Sequence, residues 1–335
     1  MSSFAATAVE CRPDSGLVQR DAFGSHTSEG CGLSPRAETV NTKSQFMKCI
    51  FSVDVEDWFH ILDLPSTPSL DEWEALPSHV EKNFLRLLEL FGEKQVRITC
   101  FFLGWVAAKY PHLIRAAQEF GHEIASHGYA HRLVYEMTPA QFFEDAVRAK
   151  RTIEDTGGCE VIGYRASGFS VRHDTPWFFE KLAEAGYRYD SSIFPTSRSH
   201  GGMMGADYAP HFEQTEYGQL MEFPITLTRI LNTPVCLFGG GYLRLAPWAL
   251  IKHGATKVLG EGRPVVFYLH PREIDPDQPR LEMSFLRRFK SYVNLNTTED
   301  KLRQILAEFQ FTTFADFLAE RTACSYAVQS ANGSV

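Results

Sequence analysis

The chain has 335 residues, 44% of them hydrophobic, with a formal net charge of -8. That length buries a large core as one big domain or two modest ones, and the acidic balance argues against nucleic acid or an anionic membrane as partner unless a local patch opposes it. Seven cysteines without a single C-x-x-C pair exclude a zinc knuckle and a thioredoxin-like motif, and no apolar stretch approaches the roughly 18 residues of a membrane span.

Residues 1–46 mix Ser, Ala, Thr, Gly and Glu with no period of 2 or 3.6, so a disordered extension is expected there, with Met47 as a candidate start. Neither a charged n-region nor an apolar h-region opens the chain, which predicts a cytoplasmic protein. Strand-like and helix-like segments then alternate over 47–322, the expected catalytic domain, ahead of a loose tail at 323–335. Cys49-Ile50-Phe51 reads as a buried strand running into Asp54. Ser78 to Glu81 has the form of a capping box for a helix through Phe91. Arg97 to Leu103 is a strand, Trp105 to Phe120 a helix closed by Gly121, and Glu123 to Ser126 a strand ending at His127. Thr138-Pro139-Ala140-Gln141 opens a helix that Gly157-Gly158 stops, and Val161 to Tyr164 is a strand ending at Arg165. A helix from Thr175-Pro176 to Gly186 leads into the strand ending at Asp190. The stretch 191–247 is less regular, with a strand at Leu220 to Phe223 and a hairpin or loop at Gly239-Gly240-Gly241. Trp248 to Leu259 is helical, Val265 to Leu269 is a strand ending at His270, and a helix at Glu299 to Phe309 precedes a strand-like Phe311 to Phe314.

Repeated strand–helix units predict an α/β fold with a mainly parallel sheet, barrel or doubly wound. Asp54, His127, Arg165, Asp190 and His270 each sit at the C-terminal end of a different strand, and in a barrel those ends share one rim. Asp54, Glu56 and Asp57 leave a buried strand within four residues, a costly arrangement unless a cation compensates it. His127 and His131, spaced to share one side of a helical turn, suit the same ion. Two histidines, one carboxylate and an open position make a catalytic metal site. Glu56 faces the same way as Asp54 by strand alternation; Asp57 has the shorter side chain and is favoured as the ligand, although it also fits a helix-capping role.

These residues carry a resemblance. Asp54-Val55-Glu56-Asp57, Ser126-His127-Gly128-Tyr129-Ala130-His131, Tyr164-Arg165-Ala166-Ser167-Gly168 and Leu269-His270-Pro271, with Thr99 to Gly104 between, resemble in order the motifs of the polysaccharide deacetylase (NodB-homology, carbohydrate esterase 4) superfamily. Gly239 to Arg244 and Phe267 to Glu273 resemble its exopolysaccharide-associated subgroup. The resemblance implies a distorted (β/α)7 barrel that removes N-acetyl groups from aminosugars of a bacterial exopolysaccharide or its precursor with a divalent metal, most often Zn2+. It also implies association with exopolysaccharide biosynthesis proteins. By the same resemblance Asp54 is the general base, Arg165 orients it, His270 is the general acid, and a backbone N–H near Gly168 stabilises developing charge. The family's usual partner of the acid histidine is not evident, which leaves Asp190 or Glu222 for that role. Trp58 and Tyr242 are candidates for stacking on sugar rings, or core residues. The same fold hosts hydrolases of small cyclic amides, and a silent glycan-binding domain is a third reading.

Overall fold

The computed structural model describes residues 47–198 and 201–332; the segment 1–46 lies outside the described residues. In chain order the elements are β1 (Cys49–Val55), α1 (Val80–Glu93), β2 (Thr99–Phe102), α2 (Gly104–Lys109), α3 (Pro111–Glu119), β3 (Glu123–Ser126), α4 (Pro139–Gly157), β4 (Gly163–Tyr164), α5 (Phe178–Glu184) and β5 (Tyr189–Asp190). There follow β6 (His211–Thr215), β7 (Gly218–Glu222), β8 (Thr228–Ile230), β9 (Thr233–Val235), α6 (Gly240–Leu245), α7 (Trp248–Gly260), β10 (Val266–Leu269), α8 (Phe285–Tyr292), α9 (Thr298–Glu308), β11 (Phe311–Thr312) and α10 (Phe314–Asn332).

One sheet runs β10-β1-β2-β3-β4-β5-β7-β6, with β11 beside the start of β1. The path from β10 to β7 is parallel throughout, and β6 returns antiparallel on β7. The sheet curls into a half-barrel, the form the expected distorted barrel takes. Along β1, Phe51, Val53 and Val55 pack outward with Phe84, Leu87 and Leu88 of α1 in the main core. Ile50 points the other way, joining Phe101, Tyr189, Phe223 and Tyr268 in an inner cluster completed by Phe314 and Phe317 of α10. This period-2 alternation carries Ser52 and Asp54 to the inner face.

Several boundaries differ from expectation. Trp105 to Phe120 is two helices, because Pro111 takes Tyr110 out of the helical region (φ -125°, ψ 61°). Gly239-Gly240-Gly241 opens α6 rather than a hairpin; Gly239 lies so close under the Tyr268 ring that a Cβ there would fall 1.8 Å from it. Residues 323–332, expected to be a loose tail, continue α10, as no Gly or Pro interrupts the stretch before Gly333. The capping box expected at Ser78 is absent: α1 has no cap from its own flank and is capped instead by Asp57.

Candidate active site

The half-barrel's C-terminal rim gathers the charged residues. Arg165, fully buried after β4, lies 4.2 Å over the Phe101 ring, near Phe169, Tyr268 and Phe314. Its guanidinium donates to Asp54 Oδ1 at 2.7 Å, to Ser52 Oγ at 2.7 Å and to Ser191 O at 3.2 Å. A planar fork held on several sides presents one fixed edge to Asp54.

Glu56 Oε1 lies 2.9 Å from His127 Nε2 and 2.8 Å from His131 Nε2, all three side chains being buried. The histidines converge from a loop rather than a helical face, as Gly128 (φ +75°) and His131 (φ +52°) are both left-handed. Asp145 of α4 anchors that loop by accepting from Tyr129 N at 2.8 Å, and a side chain at Gly128 would crowd it. His127 Nδ1 is 2.8 Å from the Arg165 carbonyl and so carries the donated proton. Nε2 is thereby turned to Glu56, the posture of a metal-ligating imidazole whose other ring nitrogen is held from behind by a carbonyl. The donor set suits a divalent metal such as zinc: two imidazoles and a carboxylate, fixed behind by a carbonyl. Burial alone would raise the Glu56 carboxyl, but the charges of His131 and His270 and the bonds from His127 and His131 outweigh it and hold it well below the usual glutamate range.

Asp57, favoured from sequence as the metal ligand, is elsewhere. Its carboxylate accepts from Trp58 N at 2.8 Å, His79 N at 3.0 Å, Val80 N at 3.2 Å and Ser78 Oγ at 2.5 Å. It caps both the Trp58–His60 turn and α1, and those donors occupy its lone pairs. Trp58 is also corrected as a sugar platform: it is buried, donating Nε1–H to Pro77 O at 2.8 Å. Tyr242 is half exposed on the cleft wall, and Gly168 lines the same wall.

His270 follows β10 with Nε2 3.8 Å from Asp54 Oδ2 and 3.9 Å from Glu56 Oε1. Its partner is neither Asp190 nor Glu222 but Glu273, whose Oε1 lies 2.6 Å from Nδ1. Glu273 Oε2 accepts from Arg244 Nε at 3.0 Å, and Arg244 also donates to the carbonyls of Lys290 and Ser291 at the end of α8. Burial works to raise Glu273, yet Arg244 and His270 bring it down to about 2. In turn, although burial disfavours a charged His270, the Glu56 charge and the bond to Glu273 raise its pKa. Asp190 and Glu222 form a separate buried pair. Asp190 accepts from Ser192 Oγ at 2.6 Å and Glu222 Oε1 from Ile193 N at 3.0 Å. Burial lifts Asp190 to about 6, and burial with the Asp190 charge lifts Glu222 well above the glutamate range. One proton between them satisfies both.

His60 was not singled out from sequence. Its Nδ1 accepts from Asp57 N at 3.0 Å, which places the proton on Nε2, and Nε2 has no partner among the described residues although the ring lines the cleft. Burial, then His131, push its pKa well down, so it stands as a neutral N–H donor beside the metal-type cluster. Glu273 and Arg244 were missed as functional residues too; only the i, i+3 spacing of His270 and Glu273 hinted at the first.

With this geometry in hand, the relatives are informative. Residues 73–189 match the polysaccharide deacetylase family, and residues 191–319 match a domain of unknown function, DUF3473. The peptidoglycan deacetylase-like protein FGM2 of Gibberella zeae is 28% identical over 109 residues, 32% of this chain and 31% of that protein, so the match spans about a third of either chain. Among solved structures, a Mycobacterium smegmatis protein described as a polysaccharide deacetylase aligns with a TM-score of 0.58 at 18% identity, covering 84% of this chain and 93% of its own. One from Pseudomonas aeruginosa PAO1, described likewise, aligns at 0.53 and 20% identity, covering 80% and 88%. The Puue allantoinase aligns at 0.54 and 19%, covering 80% and 87%. At such identities these structures speak for the fold. The stretch that matches the polysaccharide deacetylase family, 73–189, runs directly into the one that matches DUF3473, 191–319.

Proposed function

We propose that the protein is a metal-dependent hydrolase that removes N-acetyl groups from N-acetylhexosamine units of a bacterial polysaccharide or its precursor. The observation that carries this reading is the meeting of three groups in one cleft: Glu56 with His127 and His131, Asp54 with Arg165, and His270 with Glu273. A divalent ion, zinc on this donor set, supplies Lewis acidity toward the acetamide carbonyl and toward water when bound by Glu56, His127 and His131. Asp54 takes the proton of the attacking water as general base, oriented by Arg165. His270, its Nδ1 held by Glu273, gives a proton from Nε2 to the departing amine nitrogen as the C–N bond breaks, leaving acetate and a free amino sugar. His60 Nε2–H and the backbone near Gly168 offer neutral donors to the acetyl group.

A cleft of about 900 Å³ with half-exposed Tyr242 on its wall supports a glycan substrate over a small cyclic amide. The test is acetate release from N-acetylglucosamine oligomers. Chelation should abolish it, zinc should restore it, and Asp54→Asn should cut turnover by about 10²–10⁴-fold. Wild-type turnover in Asp54→Asn removes the base assignment. Ring opening of small cyclic amides without acetate release favours the other hydrolase reading, and a protein with neither metal nor activity favours a glycan-binding one.

A further inference from the structure

Beside the mouth of the cleft, α8 (Phe285–Tyr292) carries a face that nothing among the described residues covers. Phe285 is 85% exposed, Leu286 62% and Phe289 48%, while Tyr292 on the inner side is buried. Phe285, Leu286 and Phe289 fall at i, i+1 and i+4, one side of a helical turn. Arg287, Arg288 and Lys290 border that side. Arg287 reaches Asp63 at 3.3 Å, but the Arg288 and Lys290 side chains have no partner among the described residues. From Arg280 to Lys290 the segment holds four basic residues against one acid, Glu282, in a chain whose total is -8. Tyr242 and Leu245 of α6, which packs against α8, add exposed apolar surface on the same rim.

A run of aromatic and aliphatic side chains flanked by lysine and arginine is costly to leave in water and is matched by a surface that is apolar beneath and anionic above. We propose that α8 docks the protein on the headgroup region of an anionic phospholipid bilayer, with Phe285, Leu286 and Phe289 entering the acyl boundary and Arg288 and Lys290 meeting phosphates. The acidic total, read from composition as arguing against such a surface, is a whole-chain sum that this patch opposes within a Debye length. Leu286, Arg287 and Lys290 also line the cleft, so docking holds its mouth at the lipid surface. The inference stands apart from the deacetylase reading, because binding is scored without activity.

The test is co-sedimentation of the full chain with vesicles of phosphatidylglycerol in phosphatidylcholine, against phosphatidylcholine alone. Binding is expected to the anionic vesicles only. It should fall by about tenfold or more in Phe285→Ser/Phe289→Ser and in Arg288→Glu/Lys290→Glu, and with added salt for the wild type. Phe285→Ser removes a side chain that is mostly in water, so the fold is not at risk, and circular dichroism checks it. Three results overturn the proposal: no sedimentation with anionic vesicles, equal binding by wild type and both double variants, or a dimer by light scattering that Phe285→Ser dissociates while no vesicle binding is seen.

Discussion

Glu56 and Glu222 are both buried glutamates on the C-terminal rim of the same sheet, yet their surroundings push them in opposite directions. Around Glu56 stand His127, His131 and His270, with Arg165 and Asp54 alongside, and its carboxyl is pulled well below the usual range. Around Glu222 stand Asp190 and the backbone N–H of Ile193, and its carboxyl is pushed up. Burial raises both; what differs is the sign of the neighbouring charge. A buried acid stays ionised where the fold turns positive groups or hydrogen-bond donors toward it, and it can serve a cation where further lone pairs converge on the same point. Where it meets only another acid, it keeps a proton and is structural.

The contrast is broken most directly by making the same change at both places. Glu56→Gln should empty the protein of metal in elemental analysis and reduce acetate release to background, while Glu222→Gln should leave both at wild-type levels; equal losses would erase the distinction. Next in size, Glu273→Gln should lower turnover by roughly 10–100-fold. It should also move the alkaline limb of the rate profile to lower pH, because Glu273 helps raise His270 against its burial. An unmoved limb would separate Glu273 from the acid. Asp57→Ala should leave metal content intact and cost about 1–2 kcal/mol in urea unfolding, since it removes the cap of α1; loss of metal would return Asp57 to the ligand set. The smallest effect concerns pH. With Asp190 lifted from 3.8 to about 6 in the fold, the unfolded chain ionises first as pH rises through that window. Stability is therefore full below it and falls across it. Glu222, lifted by burial and by the Asp190 charge, adds a fall of the same sign; Glu222→Gln should remove that part and gain about 1–2 kcal/mol at neutral pH.

Much of the rim was legible because strand ends are local signals. Asp54, His127, Arg165 and His270 follow short apolar, β-rich runs, and each lies at or just beyond its strand's end in the fold. The capping sequence at Thr138 and the glycine stop after α4 were equally local. The metal-type carboxylate was not, because Glu56 and Asp57 are adjacent and equally acidic. The choice depended on where Ser78, His79 and Val80 would lie, more than twenty residues away. The partner of His270 was obscured in the same way: Glu273 is close in sequence but is fixed by Arg244, buried 29 residues upstream. The exposed face of α8 escaped the sequence reading, because an apolar side chain looks the same there whether a core covers it or water does.

The sequence alone therefore determined the α/β alternation, the strands that end in charged residues, and Asp54, His127, His131, Arg165 and His270 as candidates for the rim. Those follow from period, caps and residue chemistry, which are properties of a few consecutive positions. Tertiary structure decided the division of labour between neighbouring acids. It placed Glu56 in the cleft and turned Asp57 back to hold a helix, and it left Asp190 and Glu222 with a shared proton. A carboxyl group's role is set by the donors and charges within a few ångströms, and in a curled sheet those arrive from distant parts of the chain.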